Sequence, residues 1–168
     1  MEVFEAVRTI LAVREYQDKP IPADTMRRIV EAAHLSASSM NRQPWHFIAV
    51  DDGETLRQLG SVAQTGPYIA QAPFAVVVCI EDTRFSVSDA SRAAQSMMLT
   101  AWSEGSGSNW AGFGGLEGAK PILGIPDGLD VLCIIPFGYP ARPVGQGKKE
   151  RKPLGEVASH NRYGQLFA

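Results

Sequence analysis

Residues 36–45 read Ser-Ala-Ser-Ser-Met-Asn-Arg-Gln-Pro-Trp. Small and hydroxyl residues, an amide and a Gln-Pro-Trp stand here between a predicted amphipathic helix and a predicted buried strand. Open α/β architectures place ligand sites at such junctions. Upstream, Asp24 is positioned to cap a helix in which Met26, Ile29, Val30 and Ala33 repeat at helical spacing, ending before Ser38. Downstream, His46–Val50 reads as a strand, with Pro44 restricting the entry and Trp45 anchoring it in the core.

Working outward, Glu2–Leu11 suits a helix, because Val3, Phe4, Val7, Ile10 and Leu11 gather on one face before Pro20 and Pro22 break the chain. Glu54–Gln64 is a further helix candidate. Phe74–Ile80 is a continuous apolar run, as expected of a strand buried on both faces, and Val131–Phe137 is another strand. Ala90, Ala93, Ala94, Met97, Met98 and Ala101 make an apolar stripe of small and flexible side chains along Ser88–Ser103, the predicted central helix. Gly105–Gly115 is glycine-rich and reads as a loop, or as backbone that must approach a ligand. A basic segment, Lys148–Lys152, precedes a tail containing Tyr163, Leu166 and Phe167, which are poorly placed in solvent and are expected to be buried against a second subunit. Helices outnumber strands without alternating strictly, which predicts an α+β sandwich with a mixed or antiparallel sheet.

The 168 residues fit one domain, with 45% hydrophobic and 20% charged residues. A formal net charge of −2 gives no reason to expect nucleic acid or an anionic membrane as partner, and favours a small ligand. Cys79 and Cys133 lie inside apolar runs, where reduced thiols behave as small hydrophobes. His34, His46 and His160 share no ligand spacing, so no metal is expected. The opening Met-Glu-Val-Phe-Glu-Ala-Val-Arg lacks a basic stretch followed by an apolar one, so the cytoplasm is the expected compartment.

Several landmarks stand in a recognisable order. They are Phe4–Thr9 followed by Val13–Tyr16, the segment Ser38–Trp45, the helix Ala93–Leu99, Leu123–Pro126, Gly138–Pro140, and Lys149–Leu154. Together they resemble the nitroreductase family of FMN-dependent oxidoreductases over nearly the whole chain. The resemblance implies a three-layer sandwich with a mixed or antiparallel central sheet flanked by helices. It also implies a homodimer with exchanged C-terminal tails and FMN at the interface, formed from a single FMN-binding domain over residues 1–168.

The residues permit a site of that kind. Lys149 and Arg151, two apart in an extended segment, point the same way and can clamp one phosphate, with Arg supplying a bidentate fork; spacing alone also fits a solvated basic run. By resemblance Arg14 lies near N1 and O2 of the flavin, where a fixed cation stabilises the reduced ring; otherwise it is an exposed arginine paired with Glu15 or Asp18. Ser38, Ser39 and Asn41 line the ring by resemblance, often from the partner subunit, and are equally suited to capping and turn formation. Gly112 sits where the family brings backbone amides near flavin N5, although a connecting loop also accounts for it. No side chain is expected to be catalytic in its own right, because the cofactor holds the reactive atom.

Two departures stand out. Many family members carry Arg-Arg-Ser where this chain has Ile10, Leu11 and Ala12, which removes phosphate donors; Arg8 substitutes only if its helix presents it differently. Only Asp82–Ser88 separate the second strand from the central helix, leaving the pocket more open. The expected activity is hydride transfer from NADH or NADPH through FMN to a small electron-poor acceptor, nitroaromatic or quinone, by a ping-pong mechanism. The alternative is a binding or sequestering protein of the same fold, with FMN binding weakened or lost and no redox turnover.

Overall fold

The run Phe74–Glu81 forms the long inner strand of a four-stranded sheet, as seen in a computed structural model that describes residues 1–145 and 149–166. The strands are β1 (Trp45–Val50), β2 (Phe74–Glu81), β3 (Gly107–Ser108) and β4 (Leu129–Gly138), ordered β1-β2-β4-β3 with every strand pair antiparallel. Among the described residues a parallel element enters only as an isolated bridge from Ala12 to Ser108 at the β3 edge. The helices are α1 (Val3–Thr9), α2 (Ala23–His34), α3 (Gly53–Val62), α4 (Ser86–Ser103), α5 (Ala119–Leu123) and α6 (Leu154–Val157).

Alternation along β2 explains the layers. Phe74, Val76, Val78 and Ile80 face α2 and α4, whereas Ala75, Val77 and Cys79 face α3, α5 and the short turn at Pro67–Gln71. Burying both faces removes the need for polar alternation, hence the unbroken apolar run. In β4 the pairing slips between Val78 and Cys79, so Cys133 opposes Val78 while Val131 opposes Cys79. Leu132 is the extra residue of this bulge, and the slip turns Val131 to the opposite layer from Cys133. Cys79 and Cys133 are both free and buried; burial pushes the Cys79 thiol up to about 11 and raises Cys133 further.

Ala90, Ala93, Ala94, Met97 and Ala101 are all fully buried, so small side chains let α4 pack closely against α2 and the sheet. At α3, Asp52 accepts a hydrogen bond from the Thr55 amide at 2.8 Å, a side-chain cap of the first turn.

Several expectations need correction. Pro22, not Asp24, occupies the cap position of α2; Asp24 lies within the first turn and makes no cap bond, and its charge there suits the helix dipole. The N-terminal helix stops at Thr9, short of Leu11, and in this chain Val3, Phe4 and Val7 face outward while Ala6 is buried. The stretch Gly105–Gly115 is not all loop: Gly107–Ser108 pair with Phe137 and Gly138, and Ala111 bridges to Ile134.

Gly107 shows why that edge is glycine. A Cβ there would stand 2.6 Å from Val13 Cβ, where the Val13 amide donates to the Ser108 carbonyl at 2.9 Å. Gly107→Ala is therefore expected to destabilise the fold by about 1–3 kcal/mol, read as a lowered thermal midpoint; an unchanged midpoint would show that the segment at 12–13 shifts freely.

Candidate functional site

Four pieces of chain meet around an open cleft of about 630 Å³. The end of α1 contributes Val7 and Arg8, and the extended chain after it contributes Ile10, Leu11 and Ala12. One side of α4 adds Gln95 and Met98, and the basic segment adds Lys149 and Arg151. The result is an apolar floor with cations at the rim, a combination that suits an amphipathic anion.

Contacts made by α1 fix the rim. Lys149 Nζ donates to the Val7 carbonyl at 2.6 Å, docking the basic segment on the residue next to Arg8. This carbonyl lies in the last turn of α1, where cations are favoured. Burial first, and then the charge of Arg151, hold the Lys149 ammonium below its ordinary range. Arg151 Nη1 donates to the Glu150 carbonyl at 2.8 Å. Arg8 grips Glu5 with two bonds, Nη2 to Oε1 at 2.6 Å and Nε to Oε2 at 2.9 Å. Lys148 of the basic run and Phe167 of the tail lie outside the described residues.

Of the residues singled out from sequence, the cleft gathers Lys149 and Arg151. Arg14, Ser38, Ser39, Asn41 and Gly112 are not in its lining. Arg14 is exposed on the chain that follows Ala12, and its charge opposes the upward push that burial gives the Tyr16 hydroxyl. Its expected partner Glu15 is instead paired with Arg142 at 3.2 Å. Gly112 is half-buried, and a Cβ there would stand 2.9 Å from Cδ1 of Trp110, so the neighbouring indole already demands glycine.

Ser38, Ser39 and Asn41 form a tight loop held on α4. Asp89, fully buried, accepts from the Ser39 amide at 2.9 Å and the Ser39 hydroxyl at 3.0 Å, and pairs with Arg92. Burial alone would raise the Asp89 carboxyl, and the Ser39 and Arg92 donors more than reverse that, holding it below its ordinary range. Ser36 Oγ donates to Ser96 Oγ at 2.8 Å, a second tie to the same helix. Ser38 Oγ accepts from the Gln43 amide at 2.9 Å, and the Asn41 side chain is left exposed. At roughly 100° per residue, Met98 projects from the side of α4 opposite Asp89. The loop and the cleft therefore flank the helix rather than share a pocket within one chain.

Sequence reading gave no site role to Gln95, Met98 or Asp89, placing Met98 only in the apolar stripe of the central helix, and named Arg8 only conditionally. It also missed the bond from Asn109 Nδ2 to the Tyr68 hydroxyl, which joins the β3 edge to the turn at Pro67–Gln71. Helical spacing from Ala94 and Met97 carried a signal for Gln95 and Met98, as the polar and flexible neighbours of a buried stripe. The Asp89–Ser39 and Asn109–Tyr68 pairs join residues distant in sequence and leave no local pattern.

The profile of the nitroreductase family matches this chain in two overlapping stretches, residues 8–81 and 65–139. A protein of Methanothermobacter thermautotrophicus, provisionally named NADH dehydrogenase/NAD(P)H nitroreductase, is 35% identical over 154 residues, spanning 86% of this chain and 81% of its own. A Bacteroides thetaiotaomicron crystal structure with the same provisional name superposes with a TM-score of 0.88 at 26% identity, covering 96% of this chain and 98% of that one. An FMN-dependent nitroreductase from Clostridium difficile gives a TM-score of 0.87 at 25% identity, with coverage of 95% and 99%. The fold, the order of its landmarks and the extent of these matches agree: the chain belongs to the nitroreductase family.

Proposed function

We propose that residues 1–168 form a single FMN-binding domain and act as an FMN-dependent oxidoreductase, taking electrons from NADH or NADPH and delivering them to a small electron-poor acceptor of nitroaromatic or quinone type. The observation that carries this reading is the cleft of about 630 Å³ with Lys149 and Arg151 on its rim and an apolar floor. Its size lies in the range of small-molecule sites, and its donor set fits a phosphate monoester attached to a large flat ring. The names of the C. difficile and M. thermautotrophicus proteins support the cofactor and the donor.

The chemistry that FMN supplies when bound is hydride transfer at N5, from nicotinamide and then to the acceptor, so donor and acceptor occupy the site in turn. Lys149 and Arg151 would hold the phosphate, Arg as a bidentate fork and Lys as a point charge. Val7, Ile10, Leu11, Ala12 and Met98 exclude water from the apolar side. By the family resemblance Arg14 would place a fixed cation toward the pyrimidine end of the ring and Gly112 would offer backbone near N5, both from outside the cleft lining of a single chain.

Ser38, Ser39 and Asn41 belong to the site through a homodimer. In this chain they stand across α4 from Met98, so they serve a cleft in the partner subunit. Val3 and Phe4 on α1, and Leu154, Val157, Tyr163 and Leu166 beyond the basic segment, are large exposed apolar side chains available to that interface and to tail exchange. A strictly monomeric chain in solution would contradict this arrangement. Among the described residues no helix is long and apolar enough to cross a membrane, and we assign the cytoplasm as the compartment.

The purified chain is expected to carry a flavin absorbance band near one per subunit that NADH or NADPH bleaches. A colourless protein that takes up no added FMN would favour the second reading, a sequestering protein of this fold, for which the apolar Ile10, Leu11 and Ala12 on the cleft wall are the supporting observation.

A further inference from the structure

We propose that Arg8 is a third anion donor of the cleft and that Glu5 holds it in reserve, so that a phosphate monoester binds by taking Arg8 from Glu5. This rests on the flavin reading above and goes beyond it by assigning a residue and an internal competitor.

The geometry supplies the argument. Arg8 lines the same cleft as Lys149 and Arg151, while Ile10, Leu11 and Ala12 beside it offer no side-chain donor. Because α1 ends at Thr9, Arg8 is in the last helical turn and the following residues run extended along the cleft. Lys149 is anchored on the Val7 carbonyl, adjacent in sequence to Arg8, so two of the cations stand on one rim. Arg8 is already arranged as a planar fork on a carboxylate, and the same fork fits two phosphate oxygens. Its present pair with Glu5 is solvated, with side-chain exposures of 54% and 44%, and pairs of that kind contribute little to stability. Glu5 is not part of the cleft lining and among the described residues its carboxylate pairs with Arg8, whereas a phosphate dianion in the cleft would have Arg8, Lys149 and Arg151 all in its lining. Exchange of partners is therefore favoured by charge and costs little in lost contacts.

Fluorescence titration of FMN and of riboflavin into the full wild-type chain and the variants R8A, R8K and E5Q tests this. Riboflavin lacks the phosphate and reports everything else about the pocket. R8A is expected to weaken FMN about tenfold while leaving riboflavin unchanged. R8K falls between wild type and R8A, because lysine keeps the charge without the fork. E5Q tightens FMN by roughly two- to threefold by removing the competitor. R8A with wild-type FMN affinity, or with equal losses for both ligands, would overturn the assignment of Arg8, and E5Q without effect would overturn the role of Glu5. A wild-type chain that binds neither compound overturns the flavin reading itself and Arg8 with it, whereas FMN binding that survives R8A leaves that reading standing.

Discussion

Replacing Lys149 and Arg151 together by Ala is expected to weaken FMN binding by roughly 100-fold, while riboflavin affinity stays within about twofold. Each cation supplies a charge-assisted contact to the same phosphate, and the two act on one dianion, so their losses combine. Neither is part of the buried core: Arg151 is exposed, and the bond Lys149 makes to the Val7 carbonyl is at the surface. The double variant should therefore keep its thermal midpoint in the absence of ligand. Raising the salt concentration should weaken FMN in wild type more than in the variant, because the rim is open and its charges are screened. Undiminished FMN affinity in the double variant would refute the assignment of the phosphate to this rim. Equal losses for FMN and riboflavin would place the effect in the ring pocket instead.

What the sequence made legible follows from the range of the forces involved. The stretch Phe74–Ile80 was readable because burial on both faces demands apolar residues at every position, and the strand runs only one residue further, to Glu81. The stripe from Ala90 to Ala101 likewise reports a helix packed on two neighbours, and α4 begins two residues earlier than the pattern indicated. Lys149 and Arg151 were legible as a pair because an extended backbone repeats every second residue. Strand β3 was not, since two residues hold no periodicity and their pairing is set by Phe137 and Gly138, far along the chain. The slip at Leu132 was hidden for the same reason: it is visible only once β2 and β4 are aligned. Arg8 required knowing where α1 stops. A helix continued to Leu11 would carry Ile10 and Leu11 round with Val7, whereas the observed end at Thr9 releases them onto the cleft wall beside Arg8. The opening segment shows both cases at once, for its Pro44-Trp45 entry to β1 is local, and the buried carboxylate that fixes Ser39 comes from fifty residues away.

Asp89→Ala is expected to lower the thermal midpoint by roughly 5–10 °C and to weaken the contribution of the loop at 38–43 to the partner's cleft. The loop is costly on its own: Met40, Asn41 and Gln43, none of them glycine, have φ values of 54°, 53° and 52° in the left-handed region. Asp89 offsets that cost by accepting from the Ser39 amide and hydroxyl and by pairing with Arg92, all at a fully buried carboxylate. Alanine leaves the Ser39 amide without its acceptor and frees the turn to relax. Asp89→Asn separates charge from shape, because it keeps the side-chain volume and one acceptor but not the ion pair. The pH dependence has a definite sign. A carboxyl held below its ordinary value in the folded state adds stability that is fully present above the unfolded value, near pH 4, and is lost as pH falls through the lower folded value. The difference in thermal midpoint between wild type and D89N should accordingly be largest above about pH 5 and shrink on acidification. Parallel curves over that window would show that the charge on Asp89 plays no part, leaving hydrogen-bond geometry alone to hold the loop in place.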